Sequence, residues 1–158
     1  MLNLAIHPPS RARPGVVLSM PVAARLTTEY NIFGELDHIW AVATLIHKDS
    51  GETLYNQLGG NPTDSAHPLP DTGSADRAYF YFPDLVIHEP GRYRIRITLM
   101  RMDYSHASSP DGVVTACEYV DTHSITVESG ASTRVRPNAQ ERSFLRVLRD
   151  DGQPVPSF

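Results

Sequence analysis

The chain has 158 residues, a formal net charge of −4 and 20% charged residues, the size and balance of one globular domain that buries its core without disulfide or metal staples. A net negative charge argues against wholesale nucleic-acid binding, no apolar run approaches the roughly 20 residues of a membrane span, and the first residues lack the basic and apolar regions of a signal peptide. Cys117 is the single cysteine and Asn61-Pro62-Thr63 is closed to N-glycosylation by its proline, so the expectation is a soluble, non-secreted protein of a reducing compartment.

In chain order, Leu2, Leu4 and Ile6 alternate before Pro8-Pro9 and predict a short first strand. Val16 to Leu18 and Val22 to Leu26 predict a second, interrupted at Pro21. The β-rich run His38 to His47, closed by Asp49-Ser50-Gly51, predicts a third, with Thr53 to Leu58 as its hairpin partner. Between Gly59 and Ala75 the composition shifts to Gly, Pro, Asn, Asp, Ser and His, which predicts one long flexible loop inserted at 59–75.

The stretch from Asp76 to Met100 carries the strongest pattern. Phe80 and Phe82 alternate with Tyr79 and Tyr81 until Pro83, and Glu89-Pro90-Gly91 makes a turn. Tyr93, Ile95, Ile97 and Leu99 then alternate with Arg92, Arg94, Arg96 and Thr98. Period two over eight residues predicts a half-buried strand, and the whole stretch reads as two strands joined by a turn. After a second loop over 103–112, Val113 to Tyr119 and His123 to Glu128 predict the last strands. From Pro137 the period changes: Phe144, Leu145 and Leu148 share one side of a helix that Gly152 stops. A run of strands followed by one helix predicts an all-β sandwich with a short C-terminal helix, long loops and a single domain over 1–158.

Charge is segregated along this frame. Residues 1–28 carry Arg11, Arg13 and Arg25 with no acid, residues 92–101 carry four arginines with no acid, and residues 129–149 carry five arginines against Glu141. Ten acids lie between Glu29 and Gly91. Arg92, Arg94 and Arg96, spaced about 6.6–6.8 Å apart along one strand face, suit sugar-phosphate contacts and suit equally a solvated face paired with acids on a neighbouring strand. Arg11 and Arg13 sit in the proline-flanked Pro8-Pro9-Ser10-Arg11-Ala12-Arg13-Pro14-Gly15, which presents both side chains with little entropy lost.

Enzyme signatures are missing from the sequence. The seven histidines show no metal-ligand spacing, and the closest local set, Cys117, Glu118, Asp121 and His123, lies on one strand end where side chains diverge. Gly59-Gly60 runs into Asn-Pro rather than a helix, so no phosphate loop follows, and no nucleophile elbow is present. The expectation is a protein without catalytic residues, metal or cofactor.

Several of these segments together resemble the velvet domain of fungal developmental regulators: Leu4, Ile6, Pro9 and Arg11-Ala12-Arg13 with Gly15; the Trp40 to Leu45 strand; Leu58-Gly59, Leu69 and Asp71; the Phe80 to Leu99 pattern, which is the most specific part; and Ser143 to Val155. The resemblance implies a Rel-type immunoglobulin-like β-sandwich, nuclear localisation with possible shuttling from the cytoplasm, homodimers or heterodimers with other velvet proteins, and control of sporulation and secondary metabolism. It assigns double-stranded DNA contacts to Arg11 and Arg13, and Arg25 is the candidate that assists them. The sequence departs from the family at Val16 to Met20, where an uncharged run replaces one rich in lysine and arginine. That departure keeps a second expectation open, an interaction subunit that acts through a DNA-binding velvet partner. For dimerisation the candidates are Phe144, Leu145 and Leu148 of the helix and the apolar Val16 to Met20 run, all of which serve equally as intramolecular core.

Overall fold

A computed structural model describes residues 1–27, 38–55, 57–69, 76–103, 112–131 and 135–157. Its elements are β1 (Leu2–Ile6), β2 (Arg11–Ala12), β3 (Val22–Thr27), β4 (Ile39–His47), β5 (Thr53–Leu54), β6 (Leu58–Gly59), β7 (Thr63–Ser65), β8 (His67–Pro68), β9 (Asp76–Phe82), β10 (Val86–Ile87), β11 (Gly91–Asp103), β12 (Val113–Asp121), β13 (Ile125–Val127) and α1 (Ala139–Asp150). The first sheet has the order β1-β3-β9-β8; the second runs β2-β13-β11-β4-β5, with β12 continuing beside β11 and β7 beside β4. Together they form an immunoglobulin-like β-sandwich with one C-terminal helix, as the period-two runs predict.

Alternation along each strand decides what lies between the sheets. Val22, Ala24 and Leu26 of β3, Phe80 and Phe82 of β9, and Tyr93, Ile95, Ile97 and Leu99 of β11 meet in the inter-sheet core. The intervening residues of the first sheet, Ala23, Tyr79 and Tyr81, face outward and are buried all the same, because Phe144, Leu145 and Leu148 of α1 cover them. The molecule therefore has three layers: helix, first sheet, second sheet. Phenylalanines fill the dry interior, while the tyrosines face the helix side, where their hydroxyls find partners. Tyr81 Oη donates to the Pro154 carbonyl at 2.7 Å, Tyr79 Oη donates to Asp151, and Gln153 Nε2 donates to Tyr79 Oη at 3.2 Å.

The helix is fixed at both ends. Asn138 Oδ1 accepts from Glu141 N at 2.8 Å while Glu141 Oε1 accepts from Asn138 N at 3.1 Å, a reciprocal cap for two orphan donors. The second Glu141 oxygen accepts from His7 N at 2.9 Å and ties the cap to the end of β1. At the other end Gly152 takes φ +85°, and Gln153 N returns to the Leu148 carbonyl at 2.9 Å.

Three local expectations change. The 59–75 segment, read as one loop, holds β7 and β8 in its described part and begins within β6; the chain crosses at Ala66 from the second sheet to the first, and 70–75 lie outside the described residues. Composition hid these strands because each is two or three residues long. The hairpin partner of β4 is Thr53–Leu54 alone, since Leu58 pairs with Ile87 instead. Val16 to Leu18 form no strand; a single bridge joins Val17 to Val86 while Gly15 N and Leu18 N donate to Ile87 and Leu85. The two strands of the Asp76 to Met100 stretch, β9 and β11, lie in opposite sheets, with β10 and the Glu89-Pro90-Gly91 turn between them. The second predicted loop falls, apart from its ends, outside the described residues, as does Arg134.

Candidate nucleic-acid interface

The arginine loop is held by the second sheet. Strand β2 pairs parallel with β13, Arg11 opposite Thr126 and Ala12 opposite Val127. Thr126 N donates to the Ser10 carbonyl at 2.9 Å and Glu128 N to the Ala12 carbonyl at 3.0 Å. Ala12 is buried, so alternation turns Arg11 and Arg13 outward. Arg13 Nε donates to the Ala131 carbonyl at 2.9 Å, which fixes its direction, whereas Arg11 has no hydrogen-bond or ion-pair partner among the described residues. Gly15, at φ +73°, then reverses the chain towards Ile87.

Register brings a second basic segment to the same place. Thr126, opposite Arg11, is also opposite Arg92 of β11, and Lys48 N donates to the Arg92 carbonyl at 3.1 Å. Directly opposed residues point to one side of a sheet, so Arg11, Thr126 and Arg92 form a row on the outer face, the two arginines two strands apart, about 9–10 Å between Cα atoms. Lys48 extends the row by one strand, and the exposed Asp49 and Glu128 flank it. Arg92 lies beyond reach of sequence reasoning as a companion of Arg11, because β2 pairs with β13 in parallel and across 115 residues of chain.

Arg94 and Arg96 of β11 make contacts within the chain. Arg96 binds Asp121 through two hydrogen bonds of 2.8 and 3.0 Å, and its guanidinium lies 3.9 Å over the Tyr119 ring. The hydrogen bonds to Asp121 push its pKa up. The phosphate-contacting face proposed for Arg92, Arg94 and Arg96 is thus reduced at Arg96, which is committed to a neighbouring strand, and Arg94 leans on the Thr122 carbonyl at 3.5 Å.

Arg25 is not brought to the loop. It stands on β3 of the first sheet, half-buried beneath α1, with its guanidinium 5.9 Å over the Phe144 ring, and lines a cleft with Leu4, His7 and Asn138. Phe144, Leu145 and Leu148 are likewise taken up within the chain: all three are buried against Tyr79, Tyr81 and Ile6, which leaves almost no surface for a partner. Of the other dimer candidate, Leu18 and Met20 are buried, while Val16 and Val17 remain 49% and 50% exposed.

A polar cluster that sequence reasoning missed lies where the sheets meet. Asp64 of β7 accepts from Tyr81 N at 2.7 Å and contacts His67 Nε2 at 3.1 Å, and the His67 ring stacks on Tyr79 at 4.8 Å. Here the carboxylate satisfies a backbone donor just past the end of the β8 pairing. Burial first, then Asp151, pushes the Tyr79 phenol far up, and burial pushes Tyr81 up to about 12. Both stay protonated as clamps for the tail. Cys117 sits exposed at a bulge in β12, its thiol pushed up by desolvation rather than activated. Among the described residues no three His, Cys, Asp or Glu side chains group to hold a metal.

Comparison with known proteins agrees with the frame just described. No curated protein matches the sequence. A family model described as "Velvet factor" matches residues 8–136, from the arginine loop to the segment before α1. Because that match spans most of the chain, the protein belongs to the velvet family of fungal regulators.

Proposed function

We propose that this velvet chain is a nuclear transcriptional regulator that dimerises and contacts the sugar-phosphate backbone of duplex DNA through Arg11, Arg13 and Arg92. Its biological output is the control of fungal development, sporulation and secondary metabolism. The observation that carries the reading is the row Arg11–Thr126–Arg92 on the outer face of the second sheet, with Arg13 directed by Ala131 beside it. Strand pairing holds the backbone that carries Arg11 and Arg92, and the Ala131 carbonyl directs Arg13, so little backbone freedom is left to lose on meeting phosphate. For dimerisation, support comes from β12, which pairs only with β11 among the described residues and exposes Val114 and Tyr119 by more than half.

A second reading has its own observation. Val16 and Val17 stand half-exposed next to the arginine loop, where a basic run would add phosphate contacts. In that reading the chain is an interaction subunit and the DNA affinity belongs to a velvet partner. Fluorescence anisotropy with a mixed-sequence duplex separates the two. Binding by the wild-type chain alone, weakened in Arg11→Ala/Arg92→Ala with unchanged thermal melting, supports the first; binding that appears only when a second velvet protein is added supports the second.

A further inference from the structure

Beyond the DNA-contacting row, α1 carries a separate cationic groove, and we infer that it docks an acidic peptide segment with apolar anchors from a partner protein. The groove encloses about 860 Å³ between the helix, the segment that precedes it and the tail. Arg142, Arg146 and Arg149 line one side and Arg136 the other; half-buried Val135 and exposed Pro156 supply apolar surface between them, over the buried Leu145. On an α-helix the spacing i, i+4, i+7 places the three helical arginines in one stripe about 10 Å long.

None of these four guanidiniums has a hydrogen bond or an ion pair among the described residues. Among the described residues, the carboxylates nearby do not neutralise them. Glu141 is buried in the helix cap, Asp151 accepts from Tyr79, and exposed Asp150 forms no ion pair with them. The arrangement also works against the isolated helix. Arg142 and Arg146 repel at i, i+4, and Arg142 stands in the first turns, where the helix dipole disfavours a positive charge.

The shape decides between anionic partners. A duplex is a rigid convex rod that presents phosphates and no apolar side chain, so it would leave Val135 and Pro156 uncovered. A peptide that alternates carboxylates with leucine or phenylalanine fills the floor and meets the rim, with paired guanidinium–carboxylate geometry available on both sides. Three of the four arginines lie after residue 136, outside the family match.

The test uses a fluorescein-labelled peptide of alternating glutamate and leucine, with a glutamate–serine peptide and duplex DNA as competitors. The full chain is compared with Arg142→Glu/Arg146→Glu and with the milder Arg142→Gln/Arg146→Gln; all the altered side chains are exposed, and melting curves confirm folding. The expected result is glutamate–leucine binding weakened about tenfold or more by charge reversal, less by the glutamine pair, with poor competition from glutamate–serine. Absence of peptide binding, equal binding by all variants, or duplex DNA displacing the peptide from the wild type but losing its own affinity in the charge-reversed variant would overturn the inference.

Discussion

Leu148→Ala separates an intramolecular role for the helix from an intermolecular one. Leu148 is fully buried between α1 and the outer face of the first sheet, in the cluster that contains Tyr79, Tyr81 and Phe144. Truncating a buried leucine costs about 2–5 kcal/mol, and the cost rises with the cavity that remains. Collapse is resisted here because the tyrosine walls are held from behind, Tyr81 by the Pro154 carbonyl and Tyr79 by Asp151 and Gln153. The expected loss is therefore in the upper part of that range, about 3–5 kcal/mol, or about 6–20 °C in melting temperature for a chain of this size. Urea unfolding of wild type and variant at two protein concentrations reads it out. A lower midpoint, shifted equally at both concentrations, confirms an internal helix. A wild-type midpoint together with weakened self-association would refute the reasoning and return Phe144, Leu145 and Leu148 to a dimer interface.

Three further outcomes follow from the same contacts. Because Tyr81 ionises near 10 when unfolded and is held to about 12 when folded, its contribution is intact below pH 10 and is lost as the pH climbs towards 12; Tyr81→Phe flattens that part of the melting-temperature profile. Glu141→Ala removes one half of the cap and the anchor of His7, and costs about 1–2 kcal/mol in urea unfolding, where Gln140→Ala, on an exposed neighbouring position, costs nearly nothing. A double-mutant cycle on Arg96→Ala and Asp121→Ala gives a coupling of about 1 kcal/mol, moderated because both side chains are over a quarter exposed; zero coupling would return Arg96 to the free basic face.

Sequence periodicity reaches as far as each strand does. The thirteen-residue β11 is legible because alternation lasts long enough to exceed chance, and the nine-residue β4 because its β-rich run ends on a turn signal. β6, β7 and β8 are not, since two or three residues in a Gly- and Pro-rich stretch carry no period, and their pairing is decided by distant partners such as Trp40 and Tyr79. Gly60 illustrates the same limit. A β-carbon there would lie 2.1 Å from the Asp84 carbonyl oxygen, at φ +84°, a close approach that the sequence does not announce. The arginine loop was legible in Arg11 and Arg13, whereas Arg92 joins them only through register, and Arg25 leaves them because β3 belongs to the other sheet. Family resemblance located the loop, but pairing decides which cations share a surface.

The central claim is that a small, fixed set of arginines contacts phosphate, and the salt dependence of DNA binding by the unaltered chain tests it most directly. Each neutralised phosphate contributes about −0.9 to the slope of log affinity against log salt, so Arg11, Arg13 and Arg92 together predict a slope of about −2.7. A slope near that value, lowered by about one unit in Arg11→Ala, is the expected result. A slope near zero, or no binding to duplex even at low salt, would contradict it.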